Sequence, residues 1–193
     1  LMRNVVHFTG QNLWFWSLTA IPLAQVFALE FTSPIWVILL SPLFLGERLT
    51  RFKILAALIG FAGAMLVARP DFSALDPGML AAAGSALCFA CSAILTKRLT
   101  RGESITSILF WLTLMQAALG FVAAGWDGQI TWPTGASLPW LTVIGAAGII
   151  GHLCLTKALA LAPASIVVPV DFARLPLIAI VGASLYDEPI SLA

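Results

Sequence analysis

The sequence predicts an all-α protein, a polytopic membrane helix bundle built from inverted-topology repeats. Three observations predict this class: an apolar composition, a series of apolar segments long enough to cross a bilayer, and an internal repeat. Of the 193 residues, 60% are hydrophobic and only 10% are charged. A soluble domain carries roughly 25% charged residues, which cover its surface. A chain with this composition is therefore expected in a lipid bilayer.

Apolar segments alternate with short polar linkers along the whole chain. Each segment is close to the ~17–25 residues that a helix needs to cross the hydrocarbon layer. The predicted spans are 5–20, 23–45, 52–68, 78–96, 104–125, 139–161 and 164–186. Pro22 and Pro163 stand between consecutive spans, where a proline suits the start of a helix.

The basic residues predict the orientation of these spans. When the sides are alternated, one side collects Arg3, Arg48, Arg51, Lys53, Lys97, Arg98, Arg101 and Lys157, whereas the other has Arg69. Because cytoplasmic loops carry the excess of Lys and Arg, the loops GERLTRFK (46–53) and KRLTRGES (97–104) are expected to be cytoplasmic, in a bacterial inner membrane. The net charge of +1 gives no field that would attract nucleic acid. Membrane lipid and a small-molecule substrate are the expected partners.

A repeat appears when the sequence is shifted against itself by 141 residues. The aligned pairs are Gly10 with Gly151, Leu18 with Leu159, Pro22 with Pro163, Val26 with Val167, Glu30 with Asp171, Phe31 with Phe172, and Glu47 with Glu188. An odd number of spans separates the two copies, so the second copy is expected to cross the membrane in the opposite sense. Inverted repeats of this kind recur in secondary transporters, which bind their solutes near the bilayer midplane.

The stretch FALEFTSPIWVILLSPLFLGERLTRFKILAALIGFAGAMLVARP resembles the EamA family of the drug/metabolite transporter superfamily. The resemblance rests on T-S-P-I within a span, F-L-G-E-R-L at its end and G-F-A-G in the next span, and ALALAPASIVVPVDFARLPLIAIVGASLYDEPIS resembles the matching part of a second repeat. It implies ten helices in two inverted halves of five. Residues 1–70 are then the last three helices of the first repeat, and residues 77–193 are the second repeat without its last helix. Pro189 after Glu188, where the first copy has Arg48, departs from this symmetry.

Asp171 and Arg174 are the first candidate site, because they interrupt an otherwise apolar span. A charge at the bilayer centre costs about 2.5–3.5 kcal/mol on insertion scales, so such residues are usually functional. Three positions apart, the two side chains share one helix face. They are either an internal ion pair that fixes the helix or part of a substrate path, with Arg174 binding an anionic or zwitterionic group. Pro169 and Pro176 flank the pair and free backbone carbonyls.

Glu30 occupies the equivalent position in the other copy, close to the middle of its span. No basic residue lies three or four positions away on the same helix. Glu30 is therefore either protonated, or paired with Arg174 across a cavity, or hydrogen-bonded to Thr32 or to a neighbouring helix. A role in proton coupling is one alternative, and a structural hydrogen bond is another.

His7, Gln11 and Trp14 follow helical spacing and predict one polar stripe on the first span. Gln11 and His152 are candidate substrate-path residues, with Trp14 as an aromatic wall. For His7 we favour polar contact between helices. The glycines at 145, 148 and 151 and the small residues at 81, 84, 85, 88 and 92 predict close helix packing. Glu47 is interpreted as a brace at a helix end.

The sequence favours a secondary transporter that moves a small metabolite by alternating access. No phosphate-binding loop for ATP is present, and neither a cofactor nor a metal is expected. Cys88 and Cys91 are interpreted as small packing residues rather than a redox or zinc motif. The alternatives are a membrane-embedded enzyme, which would need a catalytic cluster that no motif indicates, and a channel or structural protein. The resemblance implies substrates that range from amino acids and purines to riboflavin and S-adenosylmethionine-like compounds.

Overall fold

The computed structural model describes residues 1–68, 76–126, 128, 130 and 132–174, and in these ranges the chain is helical without β-strands. The α-helices are α1 (Met2–Ala20), α2 (Leu23–Glu30), α3 (Ser33–Leu45), α4 (Arg51–Ala68), α5 (Pro77–Leu99), α6 (Ile105–Ala124), α7 (Leu138–Leu161) and α8 (Ala164–Val167). A 3₁₀ segment, Val168–Ala173, follows α8 directly. The predicted all-α fold is confirmed.

Four helical stretches in the described residues are long and apolar enough to cross a membrane. They are Gln25–Leu45, Pro77–Leu99, Ile105–Ala124 and Leu138–Leu161. Helices α1 and α4 are of similar length, with 19 and 18 residues. The last predicted span, 164–186, lies largely outside the described residues. The chain is thus a multi-pass integral membrane protein.

Helix α5 lies at the centre of the bundle and packs most extensively against α1. Gly10 of α1 allows this approach, because a Cβ added there would lie 2.7 Å from the Cβ of Cys88. Gly84 of α5 faces Leu13 in the same interface. Two small residues at one crossing let helix backbones come close, as the sequence predicted for this face of α5.

The prediction that the α7 glycines mediate packing is wrong for the described residues. A Cβ added at Gly145, Gly148 or Gly151 would meet no atom within 4 Å. Helix α7 instead buries Thr156 and Leu159, near its carboxyl end. Small residues allow a close approach but do not create one, and the buried side of α7 is set by its larger side chains.

The predicted span 23–45 is interrupted rather than continuous. Helix α2 ends at Glu30 and α3 begins at Ser33. Pro34 causes the interruption, because a proline has no N–H to donate to the carbonyl four residues earlier and its ring clashes with that carbonyl. The chain tightens at this point, where both the N–H and the hydroxyl of Thr32 donate to the Leu29 carbonyl, at 3.0 and 2.7 Å. The interruption directly follows the acidic side chain of Glu30.

The equivalent stretch of the second half is also irregular, and the predicted α-helix is wrong over Val168–Ala173. The backbone winds as a 3₁₀ helix from Val168 to Ala173, next to Pro169. The two halves begin alike, since Pro22 and Pro163 cap α2 and α8 with backbone angles of −57°, 145° and −58°, 141°. Pro176 lies outside the described residues.

Three charged side chains bind the backbone at the ends of other helices. We call these residues, Glu47, Lys97 and Arg101, the helix-end network. Lys97 Nζ donates to the Leu159 and Ala162 carbonyls at the end of α7, at 2.6 and 2.9 Å. Arg101 donates to the last carbonyl of α3, that of Leu45, at 2.9 Å. Both cations neutralise the negative end of a helix dipole.

Glu47 performs the opposite task at the start of α8. The backbone N–H groups of Ala164 and Ser165 donate to its two carboxylate oxygens at 2.7 and 3.0 Å. The Ser165 hydroxyl donates to the same carboxylate, and Lys53 Nζ donates to that hydroxyl at 2.7 Å. Burial raises the pKa of Glu47, but these hydrogen bonds and the Lys53 charge outweigh burial and hold the pKa below its ordinary value. The interpretation of Glu47 as a helix-end brace is confirmed.

We predict that the Glu47 brace contributes stability at neutral pH and loses it in acid. A carboxyl whose pKa is lowered by folding stabilises the fold above its unfolded pKa and stops doing so as the pH falls through the folded pKa. Glu47→Gln should therefore lower the melting temperature in detergent at pH 7 and should flatten its decline below pH 5. By analogy with helix N-caps the loss is about 1 kcal/mol. Glu103→Gln, an exposed change, is the control; equal effects of the two substitutions would contradict the assignment.

We also predict that Gly10→Ala is destabilising although alanine is the better helix former. In an open helical position, Gly→Ala gains up to about 1 kcal/mol, whereas overpacking costs about 1–3 kcal/mol. Gly120→Ala in α6 is the matched control, because a Cβ there meets no atom within 4 Å. Melting curves should move in opposite directions, and a stabilised Gly10→Ala protein would refute the close α1–α5 contact.

Candidate functional site

Three charged side chains meet where the irregular stretches of the two halves come together. Arg174, which follows the 3₁₀ segment, binds Glu30 Oε1 through Nη2 at 2.9 Å. The same nitrogen binds Asp171 Oδ2 at 2.6 Å. One guanidinium thus holds a carboxylate from each half, and we call these residues the charged cluster. Of the alternatives for Glu30, the pairing with Arg174 and a hydrogen bond to a neighbouring helix are both observed.

Aromatic side chains surround the charged cluster. Trp14 Nε1 of α1 donates to the second carboxylate oxygen of Glu30 at 2.8 Å. The rings of Phe31 and Phe172 stack with centroids 5.7 Å apart, and the Arg174 guanidinium lies 5.5 Å from the Phe31 centroid. Gly60 of α4 makes room for this stack, because a Cβ there would overlap the Phe172 ring.

Residues related by the sequence repeat are therefore in contact in the fold. Phe31 and Phe172, which occupy equivalent positions, stack on each other. Glu30 and Asp171, equally equivalent, share one Arg174 nitrogen. In both pairs, equivalent positions of the two copies lie next to each other.

The charged cluster lines a cavity of about 700 Å³. Its wall comes from α1, α2, α3, α5, α7, α8 and the 3₁₀ segment. Much of the wall is apolar, with Phe89, Leu155 and Val167 as examples. The remaining charged or imidazole side chains of the lining are Arg3, His7 and His152. A largely apolar cavity with a few convergent polar groups is typical of a small-molecule site.

The two histidines of the chain contact each other although they lie on different helices. The rings of His7 in α1 and His152 in α7 meet edge to face, with centroids 4.9 Å apart. They meet because α1 and α7 flank the same cavity. For His7, the favoured polar contact between helices takes the form of a ring contact with His152, and no hydrogen bond to its imidazole occurs within the described residues.

A comparison of the sequence with known families gives a match to the EamA-like transporter family over residues 2–69 and 76–193. The chain belongs to this family. The resemblance seen in the sequence motifs is thereby confirmed. Among solved structures, one crystal structure superposes with a TM-score of 0.79, covering 96% of this chain and 68% of that one at 23% identity. This likeness supports the fold.

Named relatives of the family are transporters. A riboflavin transporter of Rhizobium johnstonii is 35% identical over 94% of this chain and 60% of its own length. The riboflavin transporter of Brucella anthropi is 34% identical over 94% of this chain and 66% of its own length. An S-adenosylmethionine uptake transporter of Rickettsia bellii is 26% identical, covering 97% of this chain and 64% of its own length. The chain spans less than two thirds of these curated relatives.

The predicted site residues of this family member fall into two groups. Trp14, Glu30, Asp171 and Arg174 are in direct contact, and His152 lines the same cavity. Gln11 instead lines a second, smaller cavity of about 390 Å³. Their role in a substrate path stays a prediction.

Arg3 also lines the cavity, although its place in the sequence indicated only a role in membrane orientation. Its side chain is buried and donates to Thr96 Oγ1 of α5 at 2.9 Å and to Asn4 Oδ1 at 3.1 Å. The signal in the sequence is the helical spacing of Arg3, His7 and Gln11, which extends the polar stripe of α1 by one turn.

Among the described residues, no group of three or more His, Cys, Asp or Glu side chains is arranged to hold a metal ion.

We predict that the indole of Trp14 stabilises the site through its bond to Glu30. Trp14→Phe keeps the ring but removes the N–H donor, and a hydrogen bond to a charged group contributes about 1.5–3 kcal/mol. Trp16→Phe is the matched control, because Trp16 is exposed in the same helix. Thermal unfolding in detergent should separate the two variants; equal melting temperatures would contradict the importance of this bond.

Proposed function

We propose that this chain forms part of a secondary transporter, which moves a small metabolite across the membrane by alternating access of two inverted halves. The observation that carries the proposal is the charged cluster, in which one guanidinium joins carboxylates from the two halves at the wall of a 700 Å³ cavity. Because this contact between the halves faces the cavity, a solute that binds there can alter it. Transport without ATP requires such a coupling between solute binding and the movement of the halves.

Several hydrogen-bonding groups of the charged cluster have no partner within the part of the chain that the structure describes, and a solute can use them. Arg174 uses only Nη2, and its Nε and Nη1 have no partner among the described residues. Asp171 Oδ1 is likewise unpartnered there. Adjacent donors and acceptors fit a zwitterionic or dipolar group better than a purely anionic one, because the two carboxylates outnumber the guanidinium. Proton coupling through Glu30 or Asp171 is consistent with the same arrangement.

The relatives indicate which solutes to test first. They are named for riboflavin and S-adenosylmethionine, both of which combine a planar heterocycle with a polar chain. Because these relatives are named transporters, transport is favoured over a membrane-embedded enzyme, a channel or a structural protein. We further propose an inner-membrane location with the Gly46–Thr50 loop on the cytoplasmic side, since the basic residues concentrate there.

The proposal is tested by reconstituting full-length protein in liposomes. The initial rate of uptake of radiolabelled riboflavin or S-adenosylmethionine is then measured. Glu30→Gln and Arg174→Ala should lower the initial uptake rate by about tenfold or more, since each leaves a partner of the cluster uncompensated. Lys157→Ala is the control, because Lys157 is an exposed cation. Transport unaffected by Arg174→Ala would identify the cluster as a structural brace only. Absence of uptake of either compound by the unmodified protein would refute both as substrates.

A further inference from the structure

Two cavities in the described residues share part of their walls. The larger, of about 700 Å³, contains the charged cluster, and the smaller, of about 390 Å³, lies among α1, α6 and α7. The residues common to both linings are His7 and His152. The two imidazoles therefore stand between the cavities.

Ring contacts rather than hydrogen bonds hold the imidazoles in place. His7 packs edge to face on His152, and its other ring neighbour is Phe89, with centroids 5.8 Å apart. Neither imidazole has a hydrogen-bond partner in the described part of the chain, and Nδ1 of His152 is buried without one. Buried polar atoms are rarely left unpaired. Separating the two rings would therefore break no hydrogen bond among the described residues.

The two cavities differ in chemistry. Arg3, Glu30, Asp171 and Arg174 give the larger cavity its charges. In the smaller cavity, the polar groups besides the histidines are the uncharged side chains of Gln11, Thr113 and Gln116. Amide and hydroxyl groups recognise hydroxyls and amides of a solute, not its charges.

We propose that His7 and His152 form a movable partition, and that a two-part solute displaces it. The uncharged part of the solute, which bears hydroxyl or amide groups, occupies the smaller cavity beside Gln11. Its ring or charged part occupies the larger cavity, and the imidazole nitrogens bond the junction. This inference rests on the proposed transport function for its solute, whereas the partition itself is testable without any solute.

The first experiment measures the reactivity of His7 with diethyl pyrocarbonate, which acylates unprotonated imidazole. Full-length protein in detergent is treated, and the peptide that contains His7 is quantified by mass spectrometry. His152→Ala should raise the modification rate of His7 several-fold by removing the ring that covers it. His152→Phe keeps a ring and should leave the rate near that of the unmodified protein. An unchanged rate in a folded His152→Ala protein overturns the partition.

The second experiment asks which part of a solute the smaller cavity binds. Riboflavin is compared with lumichrome, which has the tricyclic ring but lacks the ribityl chain. Gln11→Leu should weaken riboflavin binding by about fivefold, roughly the value of one hydrogen bond, and should leave lumichrome binding unchanged. Asn12→Leu is the control, because Asn12 is exposed and donates to its own helix at the Phe8 carbonyl.

The outcomes separate this inference from the proposed function. Equal weakening of riboflavin and lumichrome by Gln11→Leu overturns the two-part assignment while transport stands. If riboflavin does not bind, S-adenosylmethionine and S-methylmethionine, which lacks the adenosine part, replace the pair in the same design. If neither full solute binds, the two-part solute is overturned together with these substrates, and the reactivity of His7 still decides the partition.

Discussion

One guanidinium shared by two carboxylates is the interaction on which the arrangement of the two halves depends. Each of these charges alone would be expensive in an apolar bundle, and removing one partner of such a group leaves the others uncompensated. Glu30 and Asp171 belong to repeat-related stretches, so the two halves must meet for Arg174 to satisfy both. The stack of Phe31 on Phe172 then follows from the same approach. Electrostatics and aromatic packing thus specify one relative placement of the two halves.

Prolines allow these charges to lie where they do. Pro34 interrupts the helix just after Glu30, and Pro169 accompanies the 3₁₀ winding that carries Asp171. In a membrane, backbone that departs from the α-helix is tolerated only where it is buried in protein or lines a cavity. The irregular backbone and the polar side chains therefore occur at the same place for the same reason, namely that both need an environment other than lipid.

The sequence predicted the helices well and their irregularities poorly. Span 78–96 corresponds to α5 (Pro77–Leu99), and span 139–161 corresponds to α7 (Leu138–Leu161), because hydropathy is a direct measure of what a bilayer accepts. The interruption after Glu30 was missed, since hydropathy does not register a lost backbone hydrogen bond. The charged cluster was predictable, because charges in apolar spans must find partners. The contact of His7 with His152 was not, because it depends on which helices flank one cavity.

The helix-end network has a consequence for how this sequence can vary over evolution. Glu47 binds backbone N–H groups, and Lys97 and Arg101 bind backbone carbonyls. Main-chain groups are the same in every residue except proline. The segments that these charges bind can therefore change their side chains without losing these hydrogen bonds. Substitutions at Leu45, Leu159 and Ala162 then leave the hydrogen bonds of the network unchanged. The constraint falls on the three charged positions, and on Ser165 and Lys53, whose side chains also take part at Glu47.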